Sequence, residues 1–95
     1  MDEVQCGKFE SLFVDVDGMI RWSATLTPSP SARWLKVFKD EAGRALSIGV
    51  FLDHAPLIRS DSIEFSAPEN SEGAVARAIR GVITKTNRTA TGRSI

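Results

Sequence analysis

Asp15 and Asp17 stand two residues apart and run directly into Gly18, at the end of the apolar segment Leu12–Val16. Paired carboxylates at close spacing are the material of general acid–base catalysis, of attack by a carboxylate on an electrophile and of divalent-cation binding. His54 is the sole histidine and Cys6 the sole cysteine. Any imidazole chemistry therefore rests on His54 alone, and its neighbour Asp53 on an extended chain would point to the opposite face. Cys6 has no base that the sequence places beside it, and a thiol becomes a nucleophile only where its surroundings favour ionisation. One cysteine also excludes an intrachain disulfide and a cysteine-based zinc site within one chain.

The run Leu12-Phe13-Val14-Asp15-Val16-Asp17-Gly18-Met19-Ile20 resembles the first motif of the haloacid-dehalogenase-type phosphatases, an apolar strand ending in Asp-x-Asp-Gly. The resemblance implies Asp15 as nucleophile and Asp17 as acid/base, with magnesium between them. It covers nine of the 95 residues and departs at Met19, where the family carries threonine. The rest of the chain lacks the alternating strand–helix pattern of a parallel sheet, and its length is too short for that family's core. An ordinary hairpin turn explains the same residues, because Asp-Gly suits a position that needs positive φ. A calcium loop is excluded as well, since such loops alternate several oxygen ligands over about twelve positions. No catalytic residue, metal or cofactor is expected; a minimal hydrolase using Asp15, Asp17 or His54 is the remote alternative.

Basic residues raise a different possibility. Arg77, Arg80, Lys85 and Arg88 fall in one C-terminal segment. Twelve basic side chains balance twelve acidic ones overall, tyrosine is absent, and no aromatic residues interleave with the basic cluster. Nucleic-acid binding through these four residues is thus an alternative, with a solvated helix face as the favoured reading. The charges nevertheless run in blocks: Asp2, Glu3, Glu10, Asp15 and Asp17 dominate the first twenty residues, and the last stretch is basic. Asn87-Arg88-Thr89 matches a glycosylation sequon, which has no meaning without secretion. The acidic N-terminus and the lack of a long apolar run predict a cytoplasmic chain that does not enter a membrane.

The elements that must position these residues are readable from periodicity. Phe9–Val16 and Met19–Leu26 predict a hairpin about Asp17-Gly18. A two-residue turn pairs Val16 with Met19, Phe13 with Trp22 and Phe9 with Leu26. It gathers Phe9, Phe13, Ile20, Trp22 and Leu26 on one face and leaves Leu12, Val14 and Val16 with Met19 on the other. A three-residue loop would shift the register by one and exchange faces on one strand. Ser29 as N-cap and Pro30 at the first helical position predict a helix over 30–42 carrying Trp34, Leu35, Phe38 and Ala42, stopped by Gly43. A strand through Leu35 and Val37 is the alternative. The alternation of Leu46, Ile48, Val50 and Leu52 predicts a third strand, and Leu57-Ile58 with Ser62–Ser66 a fourth. A last helix starts near Ser66–Glu69, or one turn later at Asn70 or Ser71, and turns Val75, Ile79, Val82, Ile83 and Thr86 to the core.

The order ββαββα predicts an α+β fold, a two-layer sandwich of about four antiparallel strands with two helices. Residues 1–95 form one domain in this reading, with 1–7 and 90–95 as loose ends. Aliphatic residues on both faces of the first hairpin predict a covered second face, which two helices on one side cannot supply. The function expected is a small interaction module without catalysis, immunity- or antitoxin-like by analogy, which pairs with itself as a homodimer or binds a protein partner through Leu12, Val14, Val16 and Met19.

Overall fold

The computed structural model describes residues 3–15, 17–47, 56–68 and 70–90. Among these are five strands and two helices, in the order β1 (Gln5–Cys6), β2 (Glu10–Val14), β3 (Ile20–Thr27), α1 (Ala32–Ser47), β4 (Leu57–Arg59), β5 (Ser62–Ala67) and α2 (Glu72–Ala90). The expected α+β class and its two helices on an antiparallel sheet are present, with a short extra strand at the N-terminus.

β3 is the centre of the sheet. It pairs with β5 on one side, which pairs in turn with β4, and on its other side it takes β1 and then β2 as two halves of one edge. All of these pairs are antiparallel. Alternation along β3 and β5 then separates two surfaces. Trp22 lies opposite Phe65 and Ala24 opposite Ile63 on the side that holds the core. Arg21, Ser23 and Thr25 lie opposite Ser66, Glu64 and Ser62 on the other. There the Arg21 guanidinium donates to Glu64 Oε1 from Nε at 3.2 Å, approaches it from Nη2 at 3.1 Å and donates to Ser66 Oγ at 3.1 Å. That surface of β3 and β5 is polar and suited to water.

α1 begins later and ends later than its sequence suggests. Ser31 is the N-cap, its Oγ accepting from the Trp34 N–H at 3.1 Å and its carbonyl from the Leu35 N–H at 2.9 Å, so Pro30 precedes the helix. Gly43 does not stop it. Trp34, Phe38, Ala42 and Ala45 continue one buried stripe, which carries the helix past Gly43 despite a cost of about 1 kcal/mol for an internal glycine. Leu46, expected in a third strand, therefore belongs to the helix; Ile48, Val50 and Leu52 lie outside the described residues. α2 takes the later of its two candidate starts, with the Val75 N–H donating to Ser71 O, and Ser66-Ala67 complete β5 instead. The stripe Val75, Ile79, Val82, Ile83 and Thr86 is buried as its periodicity demands.

The core joins α1 to α2 over the sheet. Trp34 stacks on Phe38 at 5.3 Å between ring centroids, and Phe9 meets Phe65 edge-on at 5.0 Å. One polar side chain closes the layers. Asn87 is buried on α2, and its Oδ1 accepts from Trp34 Nε1 at 2.8 Å and from the Val4 N–H at 3.0 Å, while its Nδ2 donates to Val4 O at 3.0 Å. The side chain thus acts as a strand partner for Val4 and ties the N-terminal segment and α1 to α2. Of the residues expected as a loose lead-in, Val4 is only 3% exposed and Gln5 and Cys6 pair with Thr27 and Leu26. Ala90 is buried, and 91–95 lie outside the described residues.

Replacing Asn87 with leucine keeps the volume but strands the Trp34 indole N–H and the Val4 amide. The expected loss is about 2–4 kcal/mol of folding stability, since each buried unpaired donor costs roughly 1–3 kcal/mol. Urea unfolding followed by tryptophan fluorescence measures it, and a loss below about 1 kcal/mol would show that the contacts relax without Asn87.

Candidate functional site

The hairpin decides where the candidate residues go. Its ladder closes at Asp15 and Met19, where the Asp15 N–H donates to Met19 O at 2.8 Å, and the Gly18 N–H donates to Asp15 O at 3.1 Å. Gly18 has φ of 78°, the left-handed conformation that ends a three-residue hairpin loop. The two-residue turn expected from Asp17-Gly18 is not formed. Val14 consequently pairs with Ile20 and Phe13 with Arg21, one position away from the expected register.

Two irregularities add to the shift. β1 places Cys6 opposite Leu26, β2 begins with Glu10 opposite Ser23, and a bulge between Ser11 and Phe13 moves the ladder once more. Measured along β3, the edge strand gains one residue at each of these two places. Directly paired residues point to one side of a sheet. Val14 therefore lies on the side of Ile20 and Trp22, Phe13 on the polar side with Arg21, and Leu12 at the bulge between Ser11 and Phe13. The proposed aliphatic face of Leu12, Val14 and Met19 does not exist as a face, and Val16 lies outside the described residues. Phe13, placed in the core by the sequence pattern, is solvent-facing.

A different feature takes the place of that face. Leu12, Phe13 and Val14 are 53%, 57% and 65% exposed. They are consecutive, they sit on an edge strand, and among the described residues β2 has β3 as its only ladder neighbour. Met19 and Ile20 beside them are half-buried. Trp22, next along the helix-facing side, has its indole N–H buried with no hydrogen-bond partner among the described residues. The sequence signal for the feature was the unbroken apolar triplet itself, which no strand can bury on one face.

The carboxylates have a structural task. Asp15 Oδ1 accepts from the backbone N–H groups of Asp17 at 2.9 Å and Met19 at 3.0 Å, shaping the turn. Asp17 is exposed, and among the described residues no three His, Cys, Asp or Glu side chains gather as metal ligands. His54 lies outside the described residues. Cys6 is half-buried beside a half-open cavity of about 360 Å³ that Glu3, Arg80, Thr84, Asn87 and Arg88 also line. Burial raises its thiol pKa, and the nearby Arg80 charge opposes that only in part.

The basic residues of α2 are all exposed but stand in different surroundings. Arg80 turns onto the sheet edge, donating to Cys6 O at 3.2 Å and Gly7 O at 3.1 Å, with its guanidinium carbon 5.4 Å from the centre of the Phe9 ring. It caps the carbonyls left where β1 gives way to β2. Arg88 lines the same cavity, whereas Lys85 lies on the opposite flank beside Glu41 and Arg44 of α1. Arg77 is exposed. No described helix is long and apolar enough to cross a membrane. No protein-family model matches the chain, and neither curated proteins nor solved structures gave a match.

Two outcomes follow from this geometry. Asp15→Ala removes an acceptor shared by two turn amides and is expected to cost about 1 kcal/mol, with Asp15→Asn milder because an oxygen remains. Thermal unfolding of both variants gives the comparison. Alkylation of Cys6 by iodoacetamide is expected to be slow at neutral pH in the folded protein and to accelerate towards alkaline pH, because the thiolate is the reacting form. Fast neutral-pH alkylation, equal to that in urea, would contradict the burial of the thiol.

Proposed function

We propose that the chain is a small non-catalytic protein-interaction module that docks through the β2 edge. The observation that supports this reading is the exposed triplet Leu12-Phe13-Val14 on that edge. Edge strands present unpaired backbone groups, and proteins that gain nothing from them protect them with charges or proline. Here the middle of the edge is apolar instead.

The geometry also favours a mode of docking. Phe13 and Val14 point to opposite sides of the sheet, so a flat surface laid against either side covers one of them and leaves the other wet. A strand added beside β2 covers both, since its own side chains alternate between the two sides while its backbone satisfies the edge. The occupant is a strand of another protein or of a second copy. Phe13 and its neighbours are more than half exposed, so changing them leaves folding stability within about 1 kcal/mol.

A photo-crosslinking amino acid at position 13, in cells that naturally make the chain, is expected to yield a discrete protein adduct. The same probe at Thr25 on the polar side, or at Arg77 on α2, is expected to yield none. No adduct at position 13, or the same adducts from all three positions, would remove the proposal.

A further inference from the structure

We infer that the strand received by β2 belongs to another protein and carries an apolar centre flanked by lysine or arginine. This rests on the docking role of the β2 edge and specifies the chemistry of its partner. Residues 10–19 contain Glu10, Asp15 and Asp17 and neither lysine nor arginine. Glu10 stands at the start of β2, exposed and opposite Ser23. Asp15 follows its last residue, and its hydrogen bonds to Asp17 and Met19 orient the carboxylate without cancelling the charge. Lys8 stands two residues before Glu10, lines the same surface hollow and offsets its charge in part, and Arg21 is engaged with Glu64 and Ser66. An apolar edge is therefore bracketed by acids about 13 Å apart, four residues of β3 at roughly 3.3 Å each.

The same bracket argues against a second copy. When β2 meets another β2 antiparallel with the apolar triplets facing, Glu10 of one chain falls one position from Asp15 of the other, and a shift of one residue sets the two acids directly opposite. Like charges placed opposite in a ladder are destabilising. Flanking acids are a device that deters self-association, yet they leave the strand open to a chain of opposite charge. The apolar triplet supplies contact area, and the acids select the partner.

The full chain, immobilised, is panned against a phage-displayed random dodecapeptide library, with counter-selection on a Leu12→Ser/Phe13→Ser/Val14→Thr variant whose fold is checked by circular dichroism. Enriched peptides are expected to carry aromatic or β-branched centres with Lys or Arg on both flanks. Exchanging those flanks for Glu is expected to weaken binding about tenfold or more at low salt, with the difference shrinking as salt is added. Peptides that need the triplet but show no basic preference overturn the charge inference and leave the docking edge standing. A dimer in sedimentation that Phe13→Ser dissociates overturns it in favour of a second copy. Failure to enrich any peptide that depends on the triplet removes the docking edge itself.

Discussion

The register of the N-terminal edge against β3 governs what this molecule shows to its surroundings. β3 runs without interruption from Ile20 to Thr27, and β5 follows it residue for residue. The edge strand does not. It gains a residue between the β1 and β2 pairings and another at the Leu12 bulge, and each gain reverses the side to which later residues point. Without the second gain, Phe13 would stand on the helix side with Trp22 and Val14 would stand on the polar side. With it, the roles exchange and both remain outside the core.

The contrast between the two halves of that edge has a physical cause. β1 is short, yet it is fixed from three directions: its ladder to Leu26 and Thr27, the Asn87 amide on the Val4 backbone, and the Arg80 guanidinium on the carbonyls of Cys6 and Gly7. α2 thus completes the hydrogen bonding of the chain as far as Gly7. From Glu10 onwards α2 supplies no comparable group, because it starts only at Glu72 and its first buried residue is Val75. Among the described residues, β2 therefore relies on β3 alone, and neither helix packs on its apolar residues.

Much of the fold was legible in the sequence because it rests on periodicity. The α2 stripe, the Trp34–Phe38–Ala42 stripe and the alternation of Ile63 and Phe65 each repeat a pattern that one type of element can satisfy. The illegible parts rest on single-residue decisions. Asp17-Gly18 fits a two-residue turn and a three-residue loop alike, and the choice follows from the Asp15 carboxylate gathering the Asp17 and Met19 amides. Ser29 and Ser31 are equally good caps by type, and only the bond from Trp34 distinguishes them. Asn87 sits four residues after Ile83 on the buried stripe, a visible signal, but its partner Val4 is 83 positions away and no local rule connects them. For the candidate site, the residues Leu12 and Val14 were legible as apolar surplus, while their arrangement as an edge was not.

Strand addition at such an edge is energetically close to balance, which is why charge carries weight there. Each new backbone hydrogen bond contributes a net 0.5–1.5 kcal/mol or so, whereas ordering each residue of a flexible peptide costs about 1–2 kcal/mol. The backbone terms therefore come near to cancelling. Completing the burial of three side chains that are already about half covered adds roughly 1 kcal/mol each, since full burial of such a residue is worth about 1.5–3 kcal/mol. An affinity built from so small a surplus is sensitive to modest electrostatic terms. Glu10 and Asp15, at the two ends of the strand, lie where a partner's flanks must pass, so their sign enters that surplus directly. An apolar edge without them would accept any β-prone segment, including its own copy; with them, the same contacts discriminate by charge.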